Sequence, residues 1–128
     1  YPFYENLPIK FTQEDIEITK KNVKNILEIT NDFEIKNVYF YGWDEATGEK
    51  LVAQKLVWHA IHQAGGKVFA ASYKRNAGNF DLVGDILDLF VCGFYPSREE
   101  AERWHSKGHK IVCYANPQGG VEAPDTYR

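Results

Sequence analysis

Residues 38–45 read Val-Tyr-Phe-Tyr-Gly-Trp-Asp-Glu, an aromatic and β-branched run that stops at two adjacent carboxylates, Asp44 and Glu45. Such a run predicts a buried strand over residues 37–43, and the residues that follow it open a helix. A strand that ends in acidic residues just before a helix is typical of α/β enzymes, which place catalytic groups at the carboxyl edge of the sheet. The same acids also suit the N-terminal end of the helix dipole, so both interpretations are open at this point.

The bulk composition narrows the class of protein. At 128 residues the chain suits one domain, residues 1–128, with a core of its own. The net charge is −3 with acids and bases interspersed, so there is no basic stripe, and we expect no nucleic-acid partner. No apolar run approaches the roughly 18–20 residues of a membrane span, so we expect no membrane partner. The chain lacks Met, and we expect it to be a piece of a longer protein.

Capping signals and apolar spacing predict three longer helices. A near capping box of Thr12 and Asp15 begins a helix over residues 13–31. A second capping box, Ser97 with Glu100, begins the last helix. The middle helix is predicted over residues 48–64, and the apolar face assigned to it consists of Val52, Leu56, Ala60 and Ile61.

The other segments predict short strands between the helices. Residues 67–73, 87–95 and 109–115 are apolar runs, residues 80–86 form a short helix or turn, and residues 1–11 are an irregular lead-in. Helices and strands thus alternate, and each crossover is long enough for parallel strands. The predicted class is α/β, with parallel βα repeats and about four strands. That is either a small open sheet or a partial, half TIM-type barrel.

Each predicted strand ends in an aromatic or polar cluster, and in a parallel sheet all four ends fall on one edge. The candidate substrate-binding residues at these ends are Trp43, Tyr73, Tyr95, Tyr114 and Asn116. Aromatic rings there suit stacking on the apolar face of a sugar. They also suit a plain sheet edge that keeps the polar tips of Tyr and Trp in water, and the residues alone leave both open.

Two carboxylates beside aromatic rings suggest glycoside cleavage, in which one carboxyl group donates a proton to the leaving oxygen. Because the two acids are sequence neighbours, they suit a division of labour within one turn. Glu45 would be the general acid, and Asp44 would orient a substrate group that attacks, such as a 2-acetamido oxygen. Successive residues of a strand point to opposite faces, so this arrangement requires the chain to bend here, which Gly42 and the loop exit allow.

Other chemistries lack their signatures. His59 and His62, and likewise His105 and His109, have no acidic or cysteine partner at metal-ligand spacing, so we predict no metal site. There is no phosphate-binding glycine loop after a strand and no serine nucleophile elbow. We therefore expect no cofactor.

Four segments together resemble a known catalytic barrel. They are Tyr-Phe-Tyr-Gly-Trp-Asp-Glu-Ala at 39–46, Gly-Gly-Lys-Val at 65–68, Asp-Leu-Phe-Val-Cys at 88–92, and Lys-Gly-His-Lys-Ile-Val-Cys-Tyr-Ala-Asn-Pro at 107–117. The pattern resembles the glycoside hydrolase group of retaining β-N-acetylgalactosaminidases and related glycoside-hydrolase-like domains. The similarity spans most of residues 10–128 and covers the middle-to-late part of such a barrel.

The resemblance implies substrate-assisted cleavage of a carbohydrate. Asp44 would hold and polarise the acetamido group, Glu45 would protonate the leaving oxygen, and Tyr114 and Asn116 would lie near the sugar. Ala46 stands where relatives often carry Pro. Since half a barrel leaves sheet edges unpaired, a homodimer that completes the barrel is one expectation. The alternative is a non-catalytic carbohydrate-binding or scaffold fragment that self-associates.

Overall fold

The computed structural model describes residues 10–72, 79–93 and 96–113. Helices and strands alternate along these ranges. The elements are α1 (Gln13–Asp32), β1 (Tyr39–Tyr41), α2 (Gly48–Ala53), α3 (Lys55–Gln63), β2 (Lys67–Ser72), α4 (Asn79–Val83), β3 (Leu89–Cys92), α5 (Arg98–Ser106) and β4 (Lys110–Cys113). No helix in these ranges is both long enough and apolar enough to cross a membrane.

The four strands form one parallel sheet in the order β1-β2-β3-β4. Strand order in space therefore follows strand order in the chain. This is the order of neighbouring strands in a (β/α)8 barrel, whereas a doubly wound sheet reverses direction at a switch point. The predicted class of α/β parallel repeats with four strands is confirmed, and it is consistent with a partial, half TIM-type barrel.

The helices pack on one face of this sheet. Phe90 of β3 points to that face and stacks on Trp104 of α5, with ring centroids 5.2 Å apart and planes at 7°. The opposite face carries Tyr41, which stacks at 4.5 Å on its register partner Phe69. Tyr41 is 49% exposed and Val112 of β4 is 46% exposed. Within the described ranges this second face is thus partly open, as the interior of an unfinished barrel would be.

The first helix begins and ends with well-defined caps. The Thr12 hydroxyl and backbone N–H donate to Asp15 at 2.7 and 2.8 Å, and these bonds lower the pKa of the Asp15 carboxyl group. The Asp15 N–H donates back to Thr12 Oγ1 at 3.1 Å, which completes the predicted capping box. At the far end Glu34 adopts φ 59°, a left-handed conformation in the position that usually favours glycine.

The helix predicted over residues 48–64 is divided at Gln54 into α2 and α3. The apolar face assigned to it is also partly wrong, because Val52 is 38% exposed and Leu56 is 52% exposed. The buried stripe consists of Leu51, Gln54, Trp58 and Ile61. A polar side chain therefore occupies a core position, and its contacts are described with the inference below.

The first strand is shorter than the apolar run that predicted it, because it covers Tyr39–Tyr41 rather than residues 37–43. The last strand begins at Lys110 rather than at residue 109, and the predicted residues 114–115 lie outside the described residues. An apolar run marks a segment that is buried, but only register with a neighbour makes it a strand. Half of the capping box predicted for α5 is present: Ser97 Oγ accepts from the Glu100 N–H at 3.1 Å, but the Glu100 carboxylate does not accept from the Ser97 N–H. The Glu100 carboxylate accepts from Trp104 Nε1 at 3.1 Å.

The amino edge of the sheet is tied together by Asp88. Its Oδ2 accepts from the Val68 N–H at 2.7 Å and lies 2.7 Å from His62 Nε2. Its backbone oxygen accepts from the Lys110 N–H at 2.8 Å. One residue thus joins α3, β2 and β4 at the end of the sheet opposite to the acid pair. Such contacts at the amino edge serve stability.

Trp104 lies at the centre of the core between the sheet and α5, and its replacement tests how much this packing contributes to stability. It is fully buried, with Phe90 stacked on it and Phe80 edge-on at 5.3 Å. We expect Trp104→Ala to lower the free energy of unfolding by about 3–5 kcal/mol, because it leaves a cavity among rings. Urea unfolding followed by circular dichroism measures this loss. The matched control, Leu56→Ala on the exposed side of α3, should cost about 0.5 kcal/mol or less, and equal losses would contradict the assignment of the core.

Candidate functional site

The chain leaves β1 at the carboxyl edge of the sheet, where the sequence predicts a site. The Gly42 N–H makes the last ladder bond, to the Phe69 oxygen at 2.8 Å. Residues 44–45 then form a turn, and the chain enters α2 at Gly48. Tyr41 is in register with Phe69, and β2 continues three residues further, to Ser72. The turn is therefore beside the last residues of a buried neighbouring strand.

Asp44 is exposed, and its carboxylate is hydrogen-bonded to the last residue of β1. The Tyr41 hydroxyl donates a short hydrogen bond to Asp44 Oδ1. The Tyr41 ring is itself fixed, because it stacks on Phe69 on the open face of the sheet. The Asp44 carboxylate is therefore oriented toward the side of the sheet that the helices leave uncovered.

The bend expected at the two adjacent acids lies at Glu45. Its φ is 54°, which is the left-handed region, so the strict alternation of a strand ends at this residue. The next residue, Ala46, turns back into the core and is buried. Glu45 itself is exposed, and none of the residues in the described ranges hydrogen-bonds to its carboxylate. Its acid group is thus accessible to a ligand.

Trp43 lies on the other side of the chain from Asp44. Its ring is half-buried and packs against Phe11, with ring centroids 6.0 Å apart. Phe11 and Trp43 help to line a cavity of about 90 Å³ that reaches Gln54 and Trp58 on the helix side. The turn therefore directs Trp43 toward the helix layer and Asp44 toward the open face, and the role of Trp43 in stacking on a sugar stays a prediction.

The other predicted binding residues, Tyr73, Tyr95, Tyr114 and Asn116, lie outside the described residues. The strands that precede them do end at the predicted edge. Ser72, Cys92 and Cys113 are the last residues of β2, β3 and β4, and they are register partners across the sheet. The convergence of strand ends therefore holds for the strands themselves, and the roles of these four residues stay predictions.

Sequence reasoning missed two residues that contact the turn. Tyr41 was part of the aromatic run, but its hydroxyl was not connected with Asp44, three positions later. The apolar face predicted for the middle helix did not include Gln54. A signal existed, because Gln54 falls at the helical spacing of Leu51, Trp58 and Ile61. A polar residue within an apolar stripe indicates a buried amide that needs hydrogen-bond partners.

Within residues 10–72, 79–93 and 96–113, no group of three or more His, Cys, Asp or Glu side chains is placed to hold a metal ion. His62 contacts Asp88 at the amino edge, with 2.7 Å between Nε2 and Oδ2. Among the described residues, the turn and the strand before it bring together two carboxylates and a phenol, from Asp44, Glu45 and Tyr41.

Comparisons of the chain with protein-family models, with curated proteins and with solved structures give no match. The site must accordingly be interpreted from its own geometry.

Glu34 and Glu45 are both glutamates with positive φ, which permits a matched test of backbone strain at the turn. We expect Glu34→Gly and Glu45→Gly each to raise the free energy of unfolding by about 0.5–1 kcal/mol, since glycine adopts this region without a Cβ clash. Chemical unfolding measures both. Glu28→Gly, in the middle of α1, is the control and should lower stability by about 1 kcal/mol. A loss at position 45 equal to that at position 28 would contradict the bent geometry.

Proposed function

We propose that this chain carries the catalytic acids of a glycoside hydrolase of the N-acetylhexosaminidase type. The substrate would be a carbohydrate with a 2-acetamido group, cleaved with retention by a substrate-assisted mechanism. One observation carries the proposal. Asp44 is held by Tyr41 on the open side of the carboxyl edge, while the neighbouring Glu45 has an exposed carboxylate. Two adjacent acids in different environments suit two different roles.

In the first step Asp44 would act on the acetamido group. Its carboxylate accepts a hydrogen bond from the acetamido N–H and so turns the acetamido carbonyl oxygen toward the anomeric carbon. The Tyr41 hydroxyl occupies Asp44 Oδ1, which leaves Oδ2 for this contact. Orientation of a group that already belongs to the substrate replaces a separate protein nucleophile.

Glu45 would supply the proton. As the acetamido oxygen bonds to the anomeric carbon, the bond to the leaving oxygen breaks and Glu45 protonates that oxygen. In the second step the Glu45 carboxylate takes a proton from water, which attacks the anomeric carbon and releases the acetamido oxygen. Two displacements at one carbon give retention. Neither step calls for a metal ion or a cofactor.

The open face of the sheet supports a further part of the proposal, which is that a homodimer completes the barrel. Tyr41 and Val112 are both about half exposed on that face. In the described ranges β1 pairs only with β2, and β4 only with β3. A second copy related by a two-fold axis along the barrel would pair β4 of each copy with β1 of the other. The open face of each copy would then line the interior of the closed barrel.

A second candidate function rests on the same open face. In this alternative the chain is a non-catalytic carbohydrate-binding or scaffold fragment that self-associates. The exposed ring of Tyr41 beside Asp44 is the observation that favours it, since an aromatic ring next to a carboxylate can bind a sugar without cleaving it. Binding without turnover distinguishes this function from hydrolysis.

The proposed roles predict distinct losses of turnover with an aryl N-acetylgalactosaminide as the test substrate. We expect Glu45→Gln to lower kcat by about 10²–10⁴-fold, because the proposal assigns the transfer of the proton to the Glu45 carboxyl group and an amide cannot replace it. Asp44→Asn should lower kcat for acetamido substrates. Steady-state kinetics measures both.

Glu34→Gln is the control for Glu45→Gln, because Glu34 shares the left-handed backbone and lies at the end of α1, away from the turn. Its turnover should equal that of the wild type. Unchanged turnover in Glu45→Gln would exclude Glu45 as the acid. Calorimetric binding of the sugar without any turnover in the wild type would favour the alternative function.

The dimer is tested by sedimentation over a range of protein concentrations. We expect a mass of two chains at micromolar concentration, and we expect Val112→Lys to shift it to one chain, because a charge would be buried inside the closed barrel. The control is Leu56→Lys, which adds the same charge at an exposed position on the helix side. A wild-type monomer at every concentration would count against the dimer.

A further inference from the structure

Gln54 is a buried polar residue that lies between α2 and α3. Its side chain is 2% exposed, and its neighbours on the same stripe are Leu51, Trp58 and Ile61. A buried amide costs free energy unless its oxygen and its NH2 group both find partners. Here both do, and the oxygen is used by the loop that carries the acid pair.

The side-chain oxygen of Gln54 accepts a hydrogen bond from the Trp43 N–H at 2.5 Å. Its NH2 group donates to the Lys50 carbonyl at 3.2 Å. In an unbroken helix that carbonyl would accept the backbone N–H of residue 54, which here points to the Leu51 oxygen at 3.4 Å. A side chain has entered the helical ladder, and this explains the division between α2 and α3.

Gly42 makes room for this contact. A Cβ atom at position 42 would lie 2.6 Å from Gln54 Oε1 and 3.0 Å from Trp58 Cζ2, both too close. The absence of a side chain at 42 thus allows the amide to reach the backbone of the next residue. The Gly42 N–H is tied to Phe69 of β2 and the Trp43 N–H to Gln54, so consecutive amides are held by the sheet and by the helix layer.

We infer that Gln54 is a positioning residue for the Asp44–Glu45 turn. It fixes the Trp43 backbone one residue before Asp44, and thereby sets where the Asp44 carboxylate meets Tyr41 and where Glu45 projects. Gln54 lies on the helix side of the sheet and acts through the backbone of Trp43. Its effect on turnover rests on the proposed function, whereas its hold on the turn does not.

Amide hydrogen exchange of Trp43, measured by NMR on the full chain, tests the hold directly. We expect Gln54→Leu to raise the exchange rate of the Trp43 amide by about 10-fold or more, while the Gly42 amide, bonded to β2, changes little. Gln54→Glu keeps an acceptor for the Trp43 N–H but loses the donor to the Lys50 carbonyl, so it should restore only part of the protection. Gln63→Leu, an exposed glutamine of α3, is the control and should leave both amides unchanged.

Turnover gives the second readout. In an active wild type we expect Gln54→Leu to lower kcat by about 10-fold or more with KM within about threefold, since misplacement of the acids affects the chemical step most. If Gln54→Leu does not fold, Gln54→Asn, shorter by one methylene, makes the same comparison.

The outcomes separate the two ideas. Unchanged Trp43 exchange in a folded Gln54→Leu protein would overturn the positioning role, and so would turnover within twofold of an active wild type. A wild type without turnover, but with Trp43 exchange that depends on Gln54, supports the hold on the turn and counts only against the proposed hydrolase.

Discussion

The strands lie side by side in the sheet in the same order as in the sequence, and this order determines on which face the helices pack. Crossovers between parallel strands have one hand, so three successive steps in one direction put every connecting helix on one side. The core is consequently a single layer, with Trp58 and Trp104 fully enclosed between sheet and helices. The other face keeps a row of side chains, including Tyr41, that need not serve the core.

The contacts differ between the two edges of the sheet. At the amino edge Asp88 joins α3, β2 and β4 through its Oδ2 atom and its backbone oxygen, which are both occupied within the fold. At the carboxyl edge Tyr41 orients Asp44, while Glu45 stays exposed on a backbone conformation that costs free energy. Glu34 at the end of α1 shares this backbone conformation, so what distinguishes Glu45 is its place at the carboxyl edge, next to Asp44.

Local signals were predicted correctly from the sequence, and distant ones were not. Thr12 and Ser97 cap their helices as predicted, because a cap involves residues only three positions apart. The division of the helix at Gln54 depends on the Trp43 N–H, eleven residues away, and no helical period contains that contact. The bend at the acid pair was expected, although the left-handed residue is Glu45 itself. The glycosidase resemblance and the substrate-binding roles of Trp43, Tyr73, Tyr95, Tyr114 and Asn116 stay predictions.

A sheet whose strands follow the order of the sequence can also gain strands at its edges without a change in the order of the existing ones. A further strand and helix could be added beyond β1 or beyond β4, and no existing pair of strands would have to separate. Duplication of a strand–helix unit would bring each new strand end to the edge that already holds Asp44. A chain of this kind could therefore gain side chains at that edge one repeat at a time while the Asp44–Glu45 turn stayed in place.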